Sequence, residues 1–524
     1  MKRKIVSGML VLSMAASLMA GCGQKEGNAG AGDAGTDSTA AAEGGGNAAV
    51  SDAELPVVRV PYTIMFDAYD EAIIEEALNE IMVEKAQAKV DLVGITFGEW
   101  SDQLNLLLST DSENSLDLFS SFWYAPLANL ASNGQAMALN DLLESDGQGI
   151  KELFAGDLED YLKCGTIDGQ IYGIPCMYAY CTENQYLVRV EDAEAAGINW
   201  DEVNDFQSMS DTILKLKEAN PDKCFVPGAT DPYWVPKSID YLGDTNYLGV
   251  LLDPTNSTKV ENFYESEYFT HWLDCVKQWS AAGAISPDPQ SNTNPSLMNL
   301  LMGVTDGTPG YAWDAQTGIK NTAAQNGIEV CGTAVSEALS TTSDATTYMW
   351  HISTFSKNPE AAMRVLNVLY TDAEAANIVA NGLEGHEYVL NENGQMSYPM
   401  KEDGTQASLA DLGWSAASMA YWPNVMLCKT WDYEEPDVYE KMAEKNKTCN
   451  RSLALGFSFD SEPVRDQITA CNNVVSKYYS SLTNGVVDID EVLPQFQAEL
   501  KTAGIDEIIA EKQSQLDAWL AENK

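Results

Sequence analysis

The sequence predicts an α/β fold built on a parallel sheet and finished by a helical C-terminal segment. Two observations carry this. Residues 57–122 alternate between strand-like and helix-like hydrophobic periods, and three amphipathic helical stripes follow one another beyond residue 461. The 470 residues from 55 onward are enough for two or three domains of ~150 residues each.

In order along the chain, residues 57–66 read as a strand because Val58, Val60, Tyr62, Ile64 and Phe66 alternate. Residues 70–87 read as a helix with Ile73, Ile74, Ala77, Leu78, Ile81 and Met82 on one face. Residues 89–97 form a second strand, 98–109 a helix carrying Trp100, Leu104, Leu107 and Leu108, and 116–122 a third strand. This βαβαβ order argues for a parallel sheet with helices on its faces. Ligands of such sheets bind beyond the carboxyl ends of the strands. Phe122-Trp123-Tyr124-Ala125-Pro126 lies at one such end. Further on, Trp272 and Trp279 lie a helical seven apart and read as core. At the C-terminus Ser461 is expected to cap a helix with Val464, Ile468, Cys471, Val475, Tyr478 and Leu482 on one stripe, ended by Gly485. Asp490 starts a second helix, with Val492, Phe496 and Leu500, ended by Gly504. Asp506 starts a third, with Ile508, Ile509, Leu516 and Trp519. Stripes this regular are packing surfaces, so this module is expected to dock on the second lobe of the protein and not to bind ligand.

The N-terminus has its own logic. Lys2, Arg3 and Lys4 precede an apolar run, Ile5 to Ala20, shorter than the ~20 residues of a membrane-spanning helix. Such a pattern reads as a signal peptide over residues 1–21. Leu18-Met19-Ala20-Gly21-Cys22 resembles the lipobox of bacterial lipoproteins, although Met19 stands where Leu is usual. That resemblance implies cleavage before Cys22 and a lipid on its thiol. Residues 23–51 are mostly Gly, Ala, Ser, Thr, Asn and Asp, and cannot bury enough to offset ordering entropy. Residues 22–54 therefore read as a lipid-anchored tether.

A net charge of −48 excludes nucleic acid as an expected partner, since phosphate binding needs clustered Lys and Arg. The acidity reads as solubility in an extracellular setting. Ten cysteines and three histidines (His271, His351 and His386) are present, with no CxxC, so neither a metal site nor any cofactor is expected. Apart from Cys22 most cysteines read as small buried hydrophobes, and the disulfide pattern stays open.

Four stretches carry a family resemblance. They are Leu116-Asp117-Leu118-Phe119 with Phe122-Trp123, the segment Asp168-Gly169-Gln170-Ile171-Tyr172-Gly173-Ile174-Pro175, the helix start Lys357-Asn358-Pro359-Glu360-Ala361-Ala362, and Gly382-Leu383-Glu384-Gly385-His386-Glu387-Tyr388 followed by Leu455-Gly456-Phe457-Ser458-Phe459-Asp460. In this order and spacing they resemble family 1 of the bacterial extracellular solute-binding proteins, the ligand-capturing subunits of ABC importers. The last of these stretches, with the C-terminal helices, resembles a LipO-type branch that ends in a domain of unknown function. The resemblance implies a type II periplasmic-binding-protein-like fold, with two α/β lobes, a hinge and an interlobe cleft that closes on ligand. By the same resemblance, lobe one takes residues 55–175 and 352–405. Lobe two takes 176–345 and 410–524, of which 455–524 is the helical module.

The chain has 12 Trp and 23 Tyr. Sugars offer flat C–H faces to aromatic rings and hydroxyls to planar polar groups. Candidate ligand contacts at strand or hairpin ends are Trp123, Tyr124, Tyr178, Trp313, Trp350 and Trp422, with Asp67 and Asp314 as hydroxyl acceptors; Tyr180 lies beside Tyr178. For each the alternative is a core or solvated role. No GxSxG, HExxH or Gly-rich phosphate loop is present, and with 78 Asp and Glu a glycosidase-like carboxylate pair is untestable from sequence. The expected function is non-enzymatic: a monomeric, lipid-anchored subunit on the outer face of the cell membrane, passing an oligosaccharide to an ABC permease. The alternatives are a receptor for peptides or another small solute, and a polysaccharide-acting surface lipoprotein.

Overall fold

The computed structural model describes residues 55–65, 71–122, 124–228, 234–236, 238–287, 289, 296–408, 411–412, 414 and 421–523. Strand β1 (Val57–Ile64) pairs in parallel with β2 (Lys89–Thr96) over eight residues. Helix α1 (Ala72–Lys85) connects them, as a parallel pair requires. Val58, Val60 and Tyr62 are buried as their alternation predicts, and Ile74, Leu78, Ile81 and Met82 pack against them. Ile73, expected on that face, is exposed. Helix α2 (Trp100–Leu107) buries Trp100 and Leu104, and β3 (Leu118–Ser120) follows. β3 lies beside β1, joined by the Asp117 N–H to the Arg59 carbonyl (3.1 Å) and the Arg59 N–H to the Asp117 carboxylate (2.8 Å).

The Asp168-Gly169 segment is a hairpin turn between Thr166–Ile167 and Gln170–Ile171. Both central residues have positive φ, 50° and 75°, the signature of a two-residue turn that favours Asp-Gly. The hairpin leads into β4 (Ile174–Pro175) and then into the first crossing between lobes.

In lobe two, β5 (Glu183–Arg189) is the central strand of three. Helices α3 (Phe206–Ala219) and α4 (Glu267–Ala282) pack in the same core, where Trp272 and Trp279 are fully buried. β6 (Gly307–Ala312) and β7 (Val330–Ala334) flank β5, both antiparallel, with α5 (Ala315–Asn326) between them in sequence. The chain returns through β8 (Leu339–Ser340) to β9 (Met349–Ile352). β9 sits between β3 and β4 and runs antiparallel to both, so lobe one holds antiparallel as well as parallel pairings. Helix α6 (Pro359–Thr371) begins on Pro359, where the missing N–H costs nothing, and buries eight side chains.

The third crossing holds α7 (Val438–Thr448) and β10 (Asn450–Arg451). Beyond it lie α8 (Arg465–Thr483), α9 (Ile489–Ala503) and α10 (Ile505–Asn523). Cys471, Val475, Leu482, Phe496, Leu500 and Ile508 join the lobe-two core. Two caps differ from expectation. Ser461 makes no capping bond and precedes a 3₁₀ turn, Glu462–Val464, from which α8 continues. Asp488, not Asp490, caps α9, because its carboxylate lies two and three residues before the N–H groups of Asp490 and Glu491.

Lobe membership also differs in one place. Trp414, Tyr421, Trp422, Val425 and Cys428 belong to the lobe-one core, so the return to lobe two comes after Cys428 and not near residue 410. The reason is aromatic packing: Phe122 stacks on Tyr421 (5.1 Å between centroids) and Trp350 on Trp422 (5.5 Å). The nine cysteines from Cys164 to Cys471 are all free thiols. Cys22 lies outside the described residues.

Candidate ligand-binding cleft

The three crossings meet in a narrow ribbon. Thr182 exchanges both backbone hydrogen bonds with Leu339 (3.1 and 3.2 Å). Leu339 and Ser340 pair in parallel with Asn450 and Arg451. The Asn446 side chain, almost fully buried, holds the first crossing from the side: its Nδ2 donates to the Tyr178 carbonyl (2.7 Å) and its Oδ1 accepts from the Tyr180 N–H (2.8 Å). Backbone groups of a crossing have no sheet of their own, and these partners meet that need.

Around this ribbon lie the residues that can face a ligand. On the lobe-one side the end of β3 is fixed by Trp100, whose Nε1–H donates to the Phe122 carbonyl (2.6 Å). The Phe122 ring contacts Tyr348 (5.7 Å) and Phe97 (6.4 Å). Tyr124 follows, half-buried; its hydroxyl accepts from Gln135 (2.6 Å) and reaches Asn105 (3.3 Å), which holds the ring in place. On the first crossing, Tyr178 is half-buried and edge-on to Tyr348 at 6.4 Å.

On the lobe-two side Glu183 opens β5, and it is 7% exposed. One carboxylate oxygen accepts the Ala315 N–H (2.6 Å) at the start of α5, and the other faces the Lys445 ammonium of α7 at 3.4 Å. Burial pushes the Glu183 carboxyl up, while the Ala315 N–H and Lys445 pull it down. Glu434, near Tyr178, is also pushed up by burial and is opposed by the Trp431 N–H (2.9 Å). Burial, with the Glu434 charge after it, raises the Tyr178 hydroxyl. Half-exposed rings beside fixed acceptors suit a neutral polyhydroxylated ligand: rings take C–H faces and carboxylates take hydroxyls. Among the described residues no group of three or more His, Cys, Asp or Glu is placed to hold a metal ion.

The sequence candidates divide. Tyr124, Tyr178 and Trp313 keep part of their surface, and Trp313 sits just past the end of β6. Asp314 is half-buried and caps α5, with one oxygen accepting from the Thr317 N–H (2.9 Å) and hydroxyl (2.8 Å). Trp350 and Trp422 are corrections. They are 0% and 1% exposed and stacked on each other, and the Trp350 Nε1–H donates to the Tyr421 carbonyl (2.6 Å). They fill the core of lobe one and offer no face to a ligand. Tyr180 is likewise buried against Tyr161 (4.3 Å). Trp123 and Asp67 lie outside the described residues. Glu183, Asn446 and Tyr348 were not singled out from sequence. For Glu183 a signal existed: it is a carboxylate opening an otherwise buried strand, Glu183–Arg189.

Comparison with known proteins places these features. Residues 66–376 match the model of the bacterial extracellular solute-binding proteins, and 453–521 match a domain of unknown function, DUF3502. A protein of Streptococcus pneumoniae serotype 4, named as a carbohydrate ABC transporter substrate-binding protein, is 26% identical over 453 residues, covering 85% of this chain and 87% of its own. The crystal structure of the N-glycan transport solute-binding protein NgtS from Streptococcus pneumoniae superposes with a TM-score of 0.74 at 21% identity, covering 90% of this chain and all of its own. The same protein in complex with Man1GlcNAc gives a TM-score of 0.66 at 21% identity, over 89% of this chain and all of its own. The fold is thus the expected type II solute-binding fold with an added C-terminal helical domain. Matched by the family model over more than half of its length, the chain belongs to the bacterial extracellular solute-binding proteins.

Proposed function

We propose that the chain captures an oligosaccharide in the interlobe cleft and delivers it to the transmembrane subunits of an ABC importer. In this reading it works as a monomer without catalysis, on the outer face of the cell membrane, held by a lipid on Cys22. One observation carries the proposal: the half-exposed rings of Tyr124 and Tyr178 flank crossings where the buried Glu183 carboxylate is anchored by Ala315 and Lys445. The likeness to a carbohydrate transporter subunit and to NgtS supports the ligand class. Tyr124, Tyr178 and Trp313 are the proposed stacking residues, with Trp123 beside Tyr124. Glu183, Asp314 and Asp67 are the proposed hydroxyl acceptors. No helix among the described residues is long and apolar enough to cross a membrane.

Calorimetry of the mature chain against a panel of neutral oligosaccharides, including Man5GlcNAc, tests the reading. Saturable binding of one glycan class is expected, with the sugar recovered intact by chromatography after hours. Shorter sugars in the eluate would overturn it in favour of a polysaccharide-acting protein. Binding of peptides with no glycan response would overturn the ligand class. Palmitate labelling of the expressed full-length chain is expected to vanish in Cys22→Ser, and label that persists would rule out the anchor.

A further inference from the structure

The C-terminal helices make a second set of contacts, apart from the lobe-two core they share. After β10 the chain does not swing free. The Ser452 N–H continues the ladder to the Ser340 carbonyl (2.9 Å), and the Leu453 N–H bonds Pro254 of lobe two (2.8 Å). Thr342, on the second crossing, holds the same segment: its hydroxyl donates to the Ala454 carbonyl (3.2 Å) and accepts the Gly456 N–H (2.8 Å). The second and third crossings are therefore tied together just beyond the ribbon.

Helix α10 grips this tied segment on one side. Gln515 makes both backbone bonds of Asp460, accepting from its N–H and donating to its carbonyl, each at 2.9 Å. The Trp519 ring meets Phe457 edge-on at 6.1 Å. Trp519 also lies so close to Gly456 that a Cβ there would sit 3.2 Å from the indole, at a φ of +95° that disfavours side chains in any case. Ala454 and Phe457 form a small apolar cluster with Leu516 and Leu520 of α10 and with Leu242, Leu251 and Val260 of lobe two.

On its other side α10 is fixed to lobe two. Gln513 accepts the Val260 N–H (2.8 Å) and donates to the Thr258 carbonyl (3.1 Å). Lys512, with no exposed surface, donates to the Gly249 carbonyl (3.0 Å) and pairs with Asp244 (3.1 Å). A buried lysine so paired is costly to displace. One helix thus joins lobe two to the strand that leaves the hinge.

Hinge closure needs a few residues that absorb backbone rotation. Residues 452–460 cannot do so while α10 holds them, which confines bending of the third crossing to the stretch before Ser452. We infer that the C-terminal domain is a hinge brace: through Gln515 and Trp519 it fixes the lobe-two end of the third crossing and so sets the balance between open and closed lobes. Apparent affinity scales with the fraction of molecules able to close, so the brace acts on ligand capture without touching ligand. The inference rests on the two-lobed binding reading but not on which ligand is bound.

The test uses the mature chain carrying Gln515→Ala with Trp519→Ala, and Thr342→Val, which reaches the same joint from the second crossing. Gln497→Ala is the control. It removes a bond from the same domain to lobe two (Gln497 to the Tyr264 carbonyl, 2.7 Å), away from the crossing. Small-angle scattering without ligand reads the lobe opening, and calorimetry with Man5GlcNAc reads capture. Both brace variants are expected to show a larger radius of gyration than wild type and an affinity at least threefold weaker, while the control matches wild type in both. Brace variants indistinguishable from wild type in scattering, or a control that shifts as they do, would overturn the inference. Wild type that binds no glycan would count against the proposed ligand alone, since the scattering arm still decides the brace.

Discussion

His351 offers a quantitative test of the lobe-one core. It lies on β9 with no exposed surface, stacked on Phe119 at 5.0 Å, with its Nδ1–H donated to the Tyr172 carbonyl at 2.7 Å. Gly173 faces the ring so closely that a Cβ there would lie 2.5 Å from Cε1. Nε2 is buried and has no partner among the described residues. Burial, against the opposing Tyr172 bond, lowers the imidazole from 6.5 to about 4. The folded value lies below the unfolded one, so in that window the unfolded chain binds the proton and the native chain does not. Stability is therefore present above the unfolded value and is lost as pH falls from 6.5 toward about 4. Between about pH 7 and about pH 5 the linkage relation puts this loss at roughly 2 kcal/mol. His351→Phe keeps a ring against Phe119 and removes the titration. Losing the Tyr172 bond costs about 1 kcal/mol, but at every pH, so it does not enter the slope. Urea unfolding of both proteins at the two pH values reads the difference, and carboxylates common to both cancel. Wild type should lose about 2 kcal/mol more than the variant on acidification. Equal losses, within about 0.5 kcal/mol, would refute the claim that His351 is buried neutral.

Other expectations follow from single contacts. Asn446→Ala leaves the Tyr178 carbonyl and the Tyr180 N–H unpaired, and thermal unfolding should show a loss of about 2–4 kcal/mol. Tyr178→Ala should weaken glycan binding about tenfold in calorimetry with little change in stability, whereas Trp350→Ala should cost about 3–5 kcal/mol of stability. Cys449 lies below the ordinary thiol range because the Cys181 thiol donates to it, with Tyr161, Arg451 and Lys445 adding to the effect. It should outpace the other eight described thiols in iodoacetamide labelling at neutral pH, read by peptide mass spectrometry, and Arg451→Gln should slow it.

What the sequence made legible was local. The period of two in Val58, Val60 and Tyr62 marked a strand because one face is buried. The Trp272–Trp279 spacing marked a core helix. Contacts over long separations were not legible. Nothing near Trp350 or Trp422 in the sequence tells that the two rings stack on each other and are buried, whereas Trp313 keeps part of its surface. The same packing puts Trp414, Tyr421, Trp422, Val425 and Cys428 in the lobe-one core. Asp488 takes the cap in place of Asp490 because the helix begins at Ile489, two residues earlier than a cap at Asp490 would allow.

The cleft was the least legible part for a physical reason. A sheet strand finds its backbone partners in its neighbours, so its side chains are free to follow a hydrophobic period. A crossing strand has two or three residues of ladder at most, as at Leu339 and Ser340, and its remaining N–H and carbonyl groups must be met by side chains from elsewhere. Asn446 meets Tyr178 and Tyr180, Ser340 Oγ meets the Tyr180 carbonyl (2.5 Å), and Tyr161 meets the Asn446 carbonyl (2.9 Å). These partners come from segments far apart in sequence, and no periodicity announces them. They also hold the crossings side by side. The polar groups that make the hinge possible therefore border the space into which a ligand must fit. A substitution at Asn446 or Glu183 should consequently alter closure and capture together, whereas one at Tyr124 should alter capture alone.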